Sequence, residues 1–268
     1  MTRWLTNTLA PIRSLLRQPA PQTAPDHFRL LVISITVSVA LMINHYLAIS
    51  SNLSDGLRWF AATFNQPARP LLLALHQSPW RELWNYLWWG GWLLIGYVLI
   101  PLLVIRFVLR DNIGEYGLHL GDTRKHWRYY ALFGAVMGVM AIGASFNSSF
   151  LDTYPFYSQA GRSWQDLLLW QLIYIGQFVC IEFFYRGFML RGLQPSFGIS
   201  SIYVSSLVYL TIHLPKPFLE CVGSLSFGLI LCLLASLSRS IWGGVFVHVC
   251  LALSMDILSL WQRGQLPF

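Results

Sequence analysis

The chain of 268 residues contains little charge, since only 11% of its residues are Asp, Glu, Lys or Arg. A soluble domain of ordinary composition carries about 25% charged residues, because these residues cover the surface that faces water. Here 55% of the residues are hydrophobic and 15% are aromatic, and the mean hydropathy is +0.52. The low charge therefore excludes an ordinary soluble protein and predicts that much of the outer surface faces lipid.

The chain also lacks the short cysteine and histidine motifs that mark redox or zinc sites. None of its four cysteines has CxxC spacing, and all of them lie in apolar runs, so we interpret them as small buried hydrophobes. No HExxH sequence, internal repeat or low-complexity tract is present. The local indication of a metal site is therefore weak.

Basic residues outnumber acidic ones but form no dense patch. The formal net charge is +7, and the Lys and Arg residues are scattered through loops without interleaved aromatic residues. This pattern favours loops that face anionic lipid over a surface that binds nucleic acid. We therefore expect the lipid bilayer as a partner and no nucleic acid.

Several apolar runs approach the length of about 20 residues that a helix needs to cross a bilayer. Two shorter runs, at 57–64 and 71–75, predict interfacial or re-entrant helices. The sequence therefore predicts an all-α, polytopic transmembrane helical bundle with about seven spans plus interfacial helices. The predicted spans are 30–49, 83–105, 127–146, 167–189, 199–212, 219–237 and 241–260.

The distribution of Lys and Arg between alternate sides of these spans predicts the orientation. With a cytoplasmic N-terminus, the inner segments hold 12 of the 18 Lys and Arg residues and the outer segments hold 6.

We interpret the chain as one integrated membrane domain with four segments. These are a basic interfacial N-terminal segment at 1–29, transmembrane helices and loops at 30–164, a helical core at 165–260 and a tail at 261–268.

Ionisable groups are concentrated in the second half of the apolar chain. Such groups are costly in hydrocarbon and usually face a bundle interior, where they mark function. Glu182 and Arg186 are four residues apart, so they share a helix face and can pair. The candidate residues are Glu182, Arg186, His213, Glu220, His248 and Asp256.

These residues allow a structural and a catalytic interpretation. An ion pair at a helix end explains Glu182 and Arg186, and a satisfied core residue explains either histidine alone. Together, however, a carboxylate and nearby imidazoles can activate water, because one group takes its proton while another holds the water or stabilises the oxyanion. We therefore expect Glu182, His213 and His248 to face one polar cavity, within about one bridging water of each other.

Two further carboxylates are weaker candidates. Glu220 opens the sixth predicted span, where the helix dipole favours an acid, so a structural role in the first turn explains it as well as catalysis does. Asp256 lies eight residues after His248, which is about two helical turns, so both side chains can face the bundle interior.

Three short runs on successive predicted helices resemble the CPBP family, the CAAX proteases and bacteriocin-processing enzymes also called the Abi family. The resemblance covers about residues 165–260 and implies a helical bundle around a cavity, in which a glutamate and histidines act on water in a glutamate-type peptidase. Its bacterial members imply a bacterial inner (plasma) membrane location. The runs are Glu182-Phe-Phe-Tyr-Arg186-Gly187, Tyr209-Leu-Thr-Ile-His213 and Trp242-Gly-Gly-Val-Phe-Val-His248.

The resemblance implies catalytic roles for Glu182, His213 and His248. Glu182 matches the second glutamate of the family's EExxxR motif, and Arg186 matches its arginine. His213 matches the histidine of FxxxH, with Tyr209 in place of the Phe, and His248 matches the histidine of HxxxN.

The chain departs from the family pattern at two positions. Ile181 replaces the first glutamate of EExxxR, which is usually given the role of the base, and Ala252 replaces the final Asn or Asp of HxxxN. The base must then be Glu182, Glu220 or a histidine. Asp256, one helical turn beyond Ala252, can take over the polar role of the Asn.

Two functions from different classes follow from these observations. The first is an intramembrane endopeptidase that hydrolyses a membrane-anchored protein or peptide, with Arg186, Glu220 and Asp256 as supporting residues. In this hypothesis Glu182 is the base and Arg186 orients it. His213 helps to position the water, and His248 with Asp256 stabilises the oxyanion. This endopeptidase requires no cofactor, although zinc held by Glu182, His213 and His248 is an alternative. The second is a non-catalytic binding or immunity protein that has lost the first glutamate. A proton-coupled transporter, a third class, lacks the expected repeat.

Overall fold

A computed structural model describes residues 10–18, 21, 24–216 and 218–267. Every regular element among these residues is helical, which confirms the predicted all-α class. The predicted interfacial segment at 1–29 falls partly on residues 1–9, which lie outside the described residues. Within that segment, residues 10–16 are helical.

From residue 24 onward the described part of the chain forms ten helices, and short 3₁₀ turns at Ser50–Asn52 and Ile113–Tyr116 lie in the connections. The helices are α1 (His27–Tyr46), α2 (Leu53–Thr63), α3 (Ala68–Gln77), α4 (Arg81–Leu109), α5 (Thr123–Ala144), α6 (Ser148–Thr153), α7 (Trp164–Phe197), α8 (Ser200–Thr211), α9 (Phe218–Ser238) and α10 (Trp242–Gln262).

Each of the seven predicted spans coincides with a helix, and five of these helices are long and apolar enough to cross a membrane: α1, α4, α7, α9 and α10. The other two differ for simple reasons. Helix α5 carries Arg124, Lys125 and Arg128 in its first turns, and α8 has only 12 residues. The apolar helices identify an integral membrane protein.

The two short predicted helices are present as α2 and α3. Both are amphipathic in sequence and leave large apolar side chains exposed, such as Trp59 at 69% and Phe60 at 48%.

The burial of the cysteines differs in part from the prediction. Cys180 and Cys232 are buried, but Cys250 is exposed on α10, so its interpretation as a buried residue is wrong. An apolar thiol is suited to a surface that faces lipid.

A π-helical segment interrupts α7. Residues Phe183–Met189 form this wider turn directly after Glu182, and all seven residues are buried. π-Helical turns are rare and are frequent at functional sites. Because the backbone pairs five residues apart there, the segment changes the rotation of the helix at the position of Glu182.

The chain divides into two compact units, each built from separate stretches of sequence. The first unit comprises the described parts of Met1–Ser38, Val98–Gly134 and Ile181–His248. Its apolar core includes Leu15, Leu190, Ile202, Cys232 and Ala235, so the N-terminal helical segment contributes to the packing through Leu15.

The second unit comprises the described parts of Val39–Tyr97, Ala135–Cys180 and Val249–Phe268. Its interior holds an aromatic cluster around Trp170. The Trp170 ring stacks on Tyr174 with centroids 4.8 Å apart, and the ring of Tyr86 lies 4.7 Å away. Offset and edge contacts of this kind stabilise aromatic cores beyond the apolar area that they bury.

Candidate active site

The site in the first unit is centred on Glu182, the last residue of the α-helical part of α7. Its side chain is completely buried, with 0% exposure. The Oε1 atom accepts a hydrogen bond of 2.8 Å from Nδ1 of His248 on α10, and it lies 3.2 Å from Nη1 of Arg186. The predicted pair of Glu182 and Arg186 is therefore present, and His248 joins it.

A glycine on α10 makes room for this carboxylate. Among the described residues, the Oε2 atom of Glu182 has no hydrogen-bond partner, and it packs against Gly244, where a Cβ atom would collide with it. Gly244 lies four residues before His248, so one face of α10 presents both the cleft for the carboxylate and the imidazole that bonds to it.

Arg186 is also completely buried. Its guanidinium carbon lies 4.4 Å from the centre of the Tyr209 ring, a cation–π distance. The guanidinium supplies the positive charge that balances the Glu182 carboxylate in an apolar interior, where an unpaired charge would be costly.

His248 has a different neighbour at each ring nitrogen. Nδ1 faces Glu182, while Nε2 lies 3.4 Å from the hydroxyl of Tyr209 on α8. The ring of Phe227 on α9 packs against the imidazole with centroids 4.6 Å apart. Four helices therefore position the imidazole, which places it more firmly than a loop would.

His213 lies just beyond the end of α8 and contacts the site through Tyr209. Its Nδ1 atom donates to the backbone carbonyl of Tyr209 at 3.3 Å, and the two rings are 4.6 Å apart. Tyr209 thus stands between His213 and His248. The structure joins the predicted histidines through this tyrosine, a residue that sequence reasoning treated only as a substitute for the family's Phe.

Glu220 has the structural contact that its position suggested. It lies 4.0 Å from Lys216, and both side chains are about one-third exposed. An exposed pair of this kind contributes little stability. This contact fits a first-turn acid at the start of α9 better than a catalytic base.

Asp256 belongs to the second unit and is fully buried. Its Oδ2 atom accepts hydrogen bonds of 2.7 Å from the Trp170 indole and from the Gln171 amide. Both donors are neutral. These partners could not be inferred from the sequence, because nothing local links residues 170 and 171 to residue 256.

The two departures from the family pattern are apolar and buried. Ile181 is 6% exposed and Ala252 is 5% exposed. Neither can exchange a proton or donate a side-chain hydrogen bond. The polar groups of the site are therefore those of Glu182, Arg186 and His248, with Tyr209 beside them.

The predicted zinc alternative lacks a suitable arrangement of ligands. Throughout the part of the chain that the structure describes, no group of three or more His, Cys, Asp or Glu side chains could hold a metal ion. Glu182 and His248 are hydrogen-bonded to each other, and the bonded atoms would have to be free in order to bind a metal. The described side chains therefore do not fit a zinc ion.

A loop before α5 contacts both of the helices that carry Glu182 and His248. The Tyr116 carbonyl packs closely against Gly187 of the π-helical segment, and Gly117 accepts a hydrogen bond of 3.0 Å from the backbone nitrogen of Ile241 at the start of α10. The Trp242 indole donates to the Leu118 carbonyl at 2.8 Å. The loop therefore contacts both the helix of Glu182 and the helix of His248.

An ion pair anchors this loop to α1. Asp111 accepts two hydrogen bonds from Arg29, of 2.7 Å and 3.0 Å, and one of 2.5 Å from the Tyr116 hydroxyl. The Arg29 guanidinium holds the pKa of Asp111 below its usual range, and burial raises the pKa of Tyr116. Bidentate pairs with this geometry are among the stronger ones in proteins.

These observations define a class: an integral membrane protein with a buried carboxylate, imidazole and guanidinium on its helices. Residues 163–254 match the family model described as type II CAAX prenyl endopeptidase Rce1-like, which confirms the resemblance to the CAAX proteases. The matched region includes Glu182, Arg186, His213 and His248. No curated protein and no solved structure matches the chain. The family match supports a CAAX-type intramembrane protease kind of function.

Proposed function

We propose that the protein is an intramembrane endopeptidase that hydrolyses a peptide bond of a membrane-anchored protein or peptide. The observation that carries this proposal is the buried hydrogen bond between Glu182 and His248, with Arg186 beside the carboxylate. A carboxylate that orients an imidazole is a recurring arrangement for general-base catalysis.

In this proposal His248 is the base and Glu182 orients it, and the contacts of the carboxylate support these roles. One oxygen of Glu182 is shared by His248 and Arg186, and the other is enclosed against Gly244. Because the carboxylate accepts from Nδ1, the imidazole carries its proton there and presents an unprotonated Nε2. This differs from the expectation that Glu182 itself removes the proton.

Hydrolysis then proceeds in two balanced steps. His248 Nε2 takes a proton from water as the water oxygen bonds to the scissile carbonyl carbon, and the carbonyl electrons move to its oxygen. When this tetrahedral intermediate collapses, the C–N bond breaks and His248 returns the proton to the leaving amine. The products are a carboxylic acid and an amine, and no cofactor takes part.

The setting of this reaction is also part of the proposal. We place the chain in a bacterial inner membrane because of its resemblance to bacterial members of the family. We place its N-terminus in the cytoplasm because 12 of the 18 Lys and Arg residues lie in the predicted inner segments. The substrate is a membrane-associated chain, since the site lies on helices suited to a bilayer.

A second candidate function rests on Ile181. This isoleucine occupies the position of the family's first glutamate and cannot accept a proton. A chain that keeps the fold without hydrolysis would be a binding or immunity protein. Variants of His248 and Glu182 distinguish the two functions.

The test compares protein termini in membranes of cells that produce the wild type, His248→Gln or Glu182→Gln. New termini are quantified by mass spectrometry, with Ser254→Ala on the same helix as the control. We expect wild-type-dependent termini to fall about 10²–10⁴-fold in both variants, the usual range for loss of a general base, and to persist in Ser254→Ala.

Protein folding is checked on each variant purified in detergent, by its thermal unfolding. A folded His248→Gln variant that leaves all new termini at the wild-type level would refute hydrolysis by this site. Absence of new termini with the wild type, together with intact folding, would favour the binding protein.

A further inference from the structure

The hydroxyl of Tyr209 is the polar group next to the nitrogen that the proposed reaction uses. It lies 3.4 Å from His248 Nε2, and its side chain is 2% exposed. Glu182 occupies the other nitrogen of the same imidazole. Any water between Nε2 and a scissile carbonyl therefore lies within reach of the Tyr209 hydroxyl.

The Tyr209 ring is held on several sides, so the direction of its hydroxyl is fixed. The Arg186 guanidinium lies over one face at 4.4 Å, and the Tyr185 ring packs edge-on with centroids 5.2 Å apart. On α9, a Cβ atom at Gly228 would come within 3.0 Å of Tyr209 Cδ1, so α9 approaches the ring closely. A preorganised donor of this kind needs no rearrangement during the reaction.

These packing contacts need only an aromatic ring, and the FxxxH pattern has a phenylalanine at this position. The hydroxyl is therefore an additional polar group in an apolar interior. Burying a hydroxyl costs about 1–3 kcal/mol unless it is hydrogen-bonded. Its proximity to His248 Nε2 gives this group a chemical role that ring packing does not supply.

The chain also lacks a polar residue that the family pattern has near the site. The family's final Asn is Ala252 here, so no side-chain amide is present at that position. Hydrolysis of an amide develops negative charge on the carbonyl oxygen, and a fixed hydrogen-bond donor stabilises that charge. A tyrosine hydroxyl is such a donor.

We propose that Tyr209 is a catalytic residue whose hydroxyl donates a hydrogen bond to the oxyanion of the tetrahedral intermediate, and this proposal rests on the proposed function. His248 removes the proton from water, the oxyanion forms next to the hydroxyl, and the hydroxyl keeps its own proton throughout. The proton on His248 then passes to the leaving amine. The bonds formed and broken are those of ordinary hydrolysis.

The test is Tyr209→Phe, which restores the family's residue and retains the ring contacts with Arg186 and Tyr185. The matched control is Tyr203→Phe on the same helix, whose side chain is 49% exposed. The probe is a synthetic peptide that spans a terminus generated by the wild type in cells, reconstituted with the purified protein in liposomes.

We expect kcat for Tyr209→Phe to fall about 10²–10³-fold, the usual loss for one oxyanion donor. KM should stay within about twofold, and the thermal midpoint should stay close to that of the wild type because the ring remains. The midpoints of the pH–rate profile should not move, since the base is unchanged. Tyr203→Phe should match the wild type.

Three results would overturn the proposal in distinguishable ways. If Tyr209→Phe cleaves at the wild-type rate while His248→Gln is inactive, Tyr209 has no catalytic role and the proposed function stands. If kcat falls only together with a large drop in thermal stability, the hydroxyl is structural. If the wild type generates no termini, both proposals fail.

Discussion

The first unit holds the completely buried carboxylate of Glu182 and the second unit holds that of Asp256, and these two carboxylates have different partners. Glu182 in the first unit accepts from an imidazole and lies beside a guanidinium. Asp256 in the second unit accepts from an indole and an amide, both of which are neutral. The imidazole beside Glu182 can exchange a proton and the guanidinium balances its charge, whereas the indole and amide beside Asp256 can do neither. Two equally buried carboxylates therefore differ in chemistry because their partners differ.

The largest expected effect concerns the ion pair of Glu182 and Arg186, in contrast to Asp256 with its neutral partners. Arg186→Met removes the cation and leaves the Glu182 carboxylate buried with only His248. We expect the free energy of unfolding to fall by about 3–5 kcal/mol, the usual cost of breaking a buried ion pair. Chemical unfolding of the purified protein in detergent measures it.

The matched control replaces both members of the pair, as Glu182→Leu with Arg186→Met. Replacing a buried pair by apolar residues is often nearly neutral, so this double variant should be more stable than the single one. A single variant as stable as the wild type would show that the pair is not energetically coupled.

The second-largest expected effect concerns Gly244, whose lack of a side chain leaves room for the Glu182 carboxylate. Gly244→Ala places a methyl group where Oε2 lies, so the carboxylate must move away from His248. We expect a loss of about 1–3 kcal/mol in the free energy of unfolding, as for other overpacked sites, and at least a tenfold loss of cleavage. Unfolding and terminus formation measure the two effects.

A glycine in open space provides the comparison. At Gly223 on α9, no atom of the described residues outside its chain neighbours and the adjacent helix backbone lies within 4 Å of the position that a Cβ atom would occupy, so Gly223→Ala should leave both quantities near the wild type. Equal behaviour of the two alanine variants would contradict the close fit between Gly244 and Glu182.

The smallest expected effect concerns the second unit. Asp256→Asn keeps an oxygen that can accept from Trp170 and Gln171 and removes the charge. We expect the free energy of unfolding to change by less than about 1 kcal/mol, because the neutral donors suit an amide oxygen as well. A loss as large as that of Arg186→Met would mean that the charge on Asp256 is needed and that the two carboxylates are alike.

Much of the fold was predictable because hydrophobic length and charge determine which segments can enter a bilayer. The Glu182–Arg186 pair followed from helical spacing, and the approach of His248 followed from the family resemblance. The hydroxyl of Tyr209 was not singled out, although a tyrosine in place of the family's phenylalanine was a visible signal. The partners of Asp256 depend on tertiary packing between distant stretches, which no local pattern encodes.

The π-helical segment affects how short motifs in this chain are interpreted. A motif such as ExxxR specifies a number of residues, and it specifies an angle only if every turn has the same width. Directly after Glu182 the turn is wider, with backbone pairing five residues apart. Equal spacing in two sequences therefore does not guarantee equal side-chain directions. An alignment can match Arg186 correctly and still give the wrong direction for the side chain of the neighbouring acid, with an error of part of a helical turn.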